Sequence, residues 1–67
     1  MKISLNGERR DLEGPLNLQE LLTALLIPTS GGIAVLLNGE VARRASWAET
    51  AIRSEDEIEI VRATVGG

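Results

Sequence analysis

The chain reads as an α+β domain, a mixed sheet of four to five strands with one main helix laid across one face. Three observations predict this. Leu18, Leu21, Leu22, Leu25 and Leu26 recur at helical spacing behind a capping residue. Asn-Gly occurs twice, at Asn6-Gly7 and Asn38-Gly39, each time between segments suited to strands. The first and last strand candidates share a pattern of inward aliphatic residues, so they are expected side by side and parallel, joined by a right-handed crossover through the helix.

Met1 to Leu5 alternates, with Met1, Ile3 and Leu5 on one face of a half-buried strand. Asn6-Gly7 tolerates the positive φ values of a type I′ turn, so Glu8 to Leu12 returns antiparallel as an outer strand whose charges blunt the sheet edge. Glu13-Gly14-Pro15 is a turn. Asn17 then caps the helix, Glu20 completes a capping box, and Leu16 and Leu21 are placed as a hydrophobic staple. Pro28 is expected to end the helix, because the residue before a proline avoids helical geometry. The five-leucine stripe is read as the face that packs on the sheet, each Leu contributing about 1.5–3 kcal/mol when buried.

Thr29-Ser30-Gly31-Gly32 is a loop, not a phosphate cradle, since no Lys follows and it leads into a strand. Ile33 to Leu37 is a continuous apolar run of the length of a central strand. After the second Asn-Gly, Glu40-Val41-Ala42 begins a return strand. The repeated Leu-Asn-Gly-Glu, at 5–8 and 37–40, reflects the same turn chemistry used twice. Ser46 is a candidate cap for a short helical turn, and Trp47, the sole aromatic, a core plug or a lid on the sheet edge. Arg43 and Arg44 suit either solvent or a nucleotide phosphate. Ser54-Glu55-Asp56 is a polar turn, and Glu57 to Arg62 is the last strand, with Ile58 and Ile60 on one face and Glu57, Glu59 and Val61 on the other.

A chain of 67 residues makes one domain with a small core. It has no Cys and no His, which removes the thiol nucleophile, the imidazole base and the usual transition-metal ligands. A body this small leaves little room for a substrate pocket of roughly 300–1,000 Å³, so the chain is not expected to be an enzyme. A net charge of −3 and a single aromatic argue against nucleic-acid binding. Neither a signal peptide nor a stretch long enough to span a membrane is present, so a monomeric cytoplasmic protein is expected.

The chain ends in Gly66-Gly67, and Gly67 is taken as the free C-terminus. Without a Cβ, such an end fits a tunnel too narrow for other residues. The expected organisation is a body over 1–63 and a flexible tail over 64–67.

These features together resemble the ThiS family, the bacterial sulfur carriers of thiamine biosynthesis, over the whole length. The resemblance rests on Ile3-Ser4-Leu5-Asn6-Gly7-Glu8, the Leu21-Leu22 helix, Ala34-Val35-Leu36-Leu37-Asn38-Gly39, Arg44-Ala45-Ser46-Trp47, Asp56-Glu57-Ile58-Glu59-Ile60-Val61 and Gly66-Gly67. Two departures stand out: Glu55 occupies a position where the family usually has Gly, and the tail has two glycines where many relatives have three.

The resemblance implies a ubiquitin-like β-grasp fold and a carrier that binds no cofactor or metal itself. It implies that a ThiF-type enzyme uses ATP and Mg²⁺ to adenylate the carboxylate of Gly67. Sulfur derived from cysteine then displaces AMP, and the resulting thiocarboxylate supplies a ThiG-type thiazole synthase. Thr64, Val65, Gly66 and Gly67 would thread into the partner active sites. Strand alternation puts Leu36 and Val61, rimmed by Glu57 and Glu59, on the sheet face away from the helix, which is the expected docking face. A carrier for molybdopterin synthesis or tRNA thiolation, a ubiquitin-like protein modifier and a plain β-grasp interaction domain are the alternatives.

Overall fold

The computed structural model describes residues 1–14, 16–28 and 32–62. Five strands form one mixed sheet: β1 (Lys2–Leu5), β2 (Glu8–Asp11), β3 (Ile33–Leu37), β4 (Glu40–Ala42) and β5 (Glu57–Arg62), in the order β2-β1-β5-β3-β4. One helix, α1 (Leu18–Ala24), covers one face, and a 3₁₀ helix spans Arg44–Glu49. The expected parallel pairing of first and last strands is present, with Ser4 opposite Glu57 and Leu5 opposite Ile58.

Both Asn-Gly turns form two-residue hairpins with positive φ at each position: 49° and 84° at Asn6-Gly7, 52° and 84° at Asn38-Gly39. That is the type I′ geometry whose twist matches paired strands. The two turns share a second role. The Asn6 side-chain carbonyl accepts from the Ile60 N–H at 2.8 Å, and that of Asn38 accepts from the Glu57 N–H at 2.9 Å. Each hairpin tip is thereby tied to β5, the strand between them. Asn38 also donates to Asp56 at 3.1 Å, and Asp56 in turn accepts from the Arg53 N–H at 2.8 Å.

The capping box of α1 is complete: the Glu20 N–H donates to the Asn17 side chain at 2.8 Å, and the Asn17 N–H donates to the Glu20 carboxylate at 3.0 Å. Leu18, Leu21 and Leu22 are buried with Ile3, Leu5, Val35, Trp47, Ile52 and Ile58, and half-buried Leu16, Leu25 and Ile27 pack against that cluster.

Leu26 departs from the expected stripe. The helix stops at Ala24, and Leu26 has φ 56° and is 87% exposed. Its N–H donates to the Thr23 carbonyl, and the Ile27 N–H donates to the Leu22 carbonyl. This pair of bonds is a Schellman termination, which satisfies the last carbonyls and turns the chain one residue too early for Leu26 to reach the core. The stop therefore precedes Pro28. Ser46 is corrected as well: it lies inside the 3₁₀ helix, whose capping position is Arg43 with no side-chain cap bond. Trp47 is buried as a core plug, its indole N–H donating to the Ala42 carbonyl at 2.8 Å.

Candidate functional site

The residues expected to dock a partner fall on one face because pairing register carries alternation across the sheet. Leu36 lies opposite Glu59 on β5 and opposite Val41 on β4, and Ala34 lies opposite Val61. Val35 and Ile58 point into the core, so Leu36, Glu57, Glu59 and Val61 share the face away from α1. Glu57 and Glu59 are exposed, Val61 is 47% exposed, and Leu36 is half-buried. Leu36, Gly39, Glu57 and Glu59 line a shallow hollow of about 90 Å³, far below the volume of a substrate pocket.

Val41 and Ala34 belong to this face and escaped the sequence reading. Val41 is 69% exposed beside Leu36. A signal for it existed: a two-residue turn at Asn38-Gly39 sets Leu37 opposite Glu40, which forces Leu36 opposite Val41. Beyond β5 the same face carries mixed charge: Lys2, Ser4, Arg9 and Asp11 follow, through the pairing of Ser4 with Glu57 and Arg9 and of Lys2 with Asp11.

Arg9 clasps Glu55 through two contacts of 2.7 and 3.3 Å. The hydrogen bond from Arg9, then its charge, hold the Glu55 carboxyl below its ordinary range, and the same pair raises Arg9 above its own. Arg44 lies with its guanidinium carbon 5.0 Å from the centre of the Trp47 ring. Among the described residues no group of three or more carboxylates is placed to hold a metal ion, and no helix is long and apolar enough to cross a membrane. Thr64, Val65, Gly66 and Gly67 lie outside the described residues, as do residues 29–31 of the loop.

The ThiS family model matches residues 3–67. The chain belongs to the ThiS family. ThiS-family proteins are non-catalytic sulfur carriers of thiamine biosynthesis. The crystal structure of the thiamine biosynthesis protein ThiS from Geobacter metallireducens is 33% identical, covers 100% of both chains and has a TM-score of 0.87. A solution structure of a thiamine biosynthesis protein from the same organism has a TM-score of 0.80 at 33% identity, over 100% of this chain and 88% of that one. These matches establish the β-grasp architecture. A thiazole synthase from Paramagnetospirillum magneticum is 36% identical over 67 residues. The chain spans about a fifth of the length of that curated relative.

Glu55 is a non-glycine residue at a positive-φ turn. It has φ 72°, a conformation that favours glycine, and its N–H donates to the Lys2 carbonyl at 2.6 Å. The Glu55 side chain closes onto Arg9, 46 residues away.

Proposed function

We propose that this chain carries sulfur on its C-terminal carboxylate and delivers it to thiazole synthesis. The observation supporting this reading is a ThiS-family match that runs through residue 67 and so includes Gly66-Gly67. Residues 1–63 serve as the β-grasp body that partners recognise, and residues 64–67 serve as the reach.

A carboxylate resists nucleophilic attack because of its charge and resonance. In the proposed reaction, a carboxylate oxygen of Gly67 attacks the α-phosphorus of ATP on a ThiF-type enzyme with Mg²⁺, and pyrophosphate leaves. Sulfur derived from cysteine, released from a persulfide as hydrosulfide by a thiol that is itself oxidised to a disulfide, then attacks the carbonyl of the acyl-adenylate, and AMP leaves. A ThiG-type thiazole synthase takes the sulfur from the thiocarboxylate. The chain binds neither ATP nor metal and contributes no acid or base. Chemistry belongs to the partners, in the cytoplasm, and the carrier reaches them as a monomer. Its own tasks are to present Leu36, Val61, Glu57 and Glu59 for docking, and to thread Thr64, Val65, Gly66 and Gly67 into the partner active sites, with Gly66 and Gly67 at the depth where a Cβ would collide.

Intact mass tests this. The purified chain is incubated with ATP, a ThiF-type enzyme, a cysteine desulfurase and cysteine. The expected result is a mass gain equal to one oxygen exchanged for sulfur, lost on deletion of Gly67. No AMP or sulfur adduct, with an enzyme active on a known carrier, would refute the carrier role.

A further inference from the structure

The two strands that flank β3 finish at the same end of the sheet. β4 and β5 both run antiparallel to β3, on opposite sides of it, and Val35 is paired with Ala42 on one side and with Ile60 on the other. β5 finishes at Arg62, opposite Ile33 where β3 begins. β4 finishes at Ala42, and Arg43 follows with φ −70° and ψ 139°, still extended. Two strand spacings of about 4.8 Å separate β4 from β5, so the backbones of Arg43 and Arg62 lie on the order of 10 Å apart across β3. Both arginines are exposed. Residues 63–67 continue from Arg62, so the pair stands where the C-terminal segment departs from the sheet.

The two ends of β5 differ in charge. At its start both signs are present: Glu55, Asp56, Glu57 and, across β3, Glu40, with Arg53, Lys2 and the Arg9 that clasps Glu55. At its finish the residues that close the two strands are arginines. Among the described residues, the ion pairs join Met1 to Asp11, Arg9 to Glu55 and Arg10 to Glu8, and none includes Arg43 or Arg62. The nearest carboxylate back along β5 is Glu59, three residues away and, by strand alternation, on the other face from Arg62. A single solvated arginine is ordinary. Two arginines across one strand, at the exit of the terminus and in a chain of net charge −3, are a local reversal of sign.

We infer that Arg43 and Arg62 form a basic collar around the exit of the C-terminus and pair with carboxylate side chains at the mouth of the adenylating partner's channel. This rests on the carrier reading above and extends it by giving the charge of the partner surface at the mouth. Carboxylates fit better than the phosphates of the nucleotide. Five residues extended in a narrow channel carry Gly67 roughly 17 Å beyond Arg62, so the collar stays outside while the adenylate forms within. A second copy of this chain, presented collar to collar, would set like charges together. The spacing of the two arginines lies well inside the roughly 800 Å² that one side of a standard interface covers, so one partner surface engages both. Such charges act chiefly on encounter, drawing the exit end towards the mouth before contact is made.

The test is steady-state adenylation by a ThiF-type enzyme, with the carrier concentration varied, using the full chain, Arg43→Gln, Arg62→Gln and the double variant. Arg53→Gln, an exposed arginine at the other end of β5, makes the same change in net charge away from the collar. At low salt the expected KM rises about threefold for each single collar variant and about tenfold for the double, with kcat unchanged. The difference shrinks to about twofold near 0.5 M salt, where charges are screened within a few ångströms. Arg53→Gln stays within about twofold of the unsubstituted chain, and the urea midpoints of all variants coincide with its own. An unchanged KM for the double variant would overturn the collar while leaving the carrier role standing. So would an equal effect of Arg53→Gln, which would show a response to net charge alone. A fall in kcat with KM unchanged would assign the arginines to the nucleotide instead and overturn the pairing with carboxylates. Failure of the unsubstituted chain to be adenylated, by an enzyme active on a known carrier, would overturn the carrier reading itself.

Discussion

Replacing Asn38 by alanine removes two hydrogen bonds, from the Glu57 N–H and to Asp56, and leaves a Cβ-bearing residue at φ 52° without the polar side chain that makes this conformation tolerable. Both bonds are exposed, so each is placed in the lower half of the usual range, about 0.5–1 kcal/mol. The left-handed conformation adds about 1–2 kcal/mol for alanine. The sum is about 3 kcal/mol, a large share of the roughly 3–10 kcal/mol available to a domain of this size. In a domain this small, that corresponds to a fall in Tm of about 12–24 °C. Asn38→Gly separates the contributions, because glycine accepts the positive φ and loses only the side-chain bonds, giving a deficit of about 1–2 kcal/mol. Trp47 is the only tryptophan and is buried, so its fluorescence reports unfolding in urea without a label. Asn38→Gly as stable as the unsubstituted chain would refute the claim that the side chain ties β3 to β5. Equal stability of the Ala and Gly variants would refute the conformational part.

Three further outcomes are expected. Gly67→Ala and Gly66→Ala should each lower the rate of adenylation while leaving the urea transition unchanged; normal adenylation of both would count against a narrow channel. Leu36→Glu and Val41→Glu should weaken adenylating-partner affinity in a calorimetric titration, about tenfold or more if the patch is the centre of the interface, whereas unchanged affinity would remove this face from the docking site. Glu55→Gln tests the clasp on Arg9. The folded carboxyl is held below its ordinary value, so its contribution is present above the unfolded value, about 4.3, and is lost as pH falls through the lower folded value. The stability difference between the two chains should therefore be largest near neutral pH and low salt, fading in acid and at high salt. A difference that grew in acid would contradict the assignment.

Several features of this chain were decided by residues within a few positions of one another, and the sequence alone reveals these. Asn-Gly specifies a type I′ turn because both residues accept positive φ, and the capping box needs only Asn17 and Glu20. Strand alternation put Leu36, Val61, Glu57 and Glu59 on one face, since a pleated backbone leaves no other choice. The motifs from Ile3-Ser4-Leu5 to Gly66-Gly67 pointed to the ThiS family. Tertiary structure decided what depended on partners distant in the chain. The leucine stripe did not reveal that α1 would close at Ala24 and turn Leu26 outwards, because a helix end is set by which competing carbonyl bonds form and which neighbours reach the core. Ser46 had the chemistry of a cap, yet the chain enters the 3₁₀ helix at Arg43. The hairpin asparagines reach β5 across 54 and 19 residues, and Glu55 keeps a glycine-like turn in contact with Arg9. Val41, by contrast, was legible locally, since the two-residue Asn38-Gly39 turn sets it opposite Leu36 on the outer face. Local chemistry thus sets which backbone angles are cheap, whereas the assembled sheet and helix determine which side chains meet and which are left facing solvent.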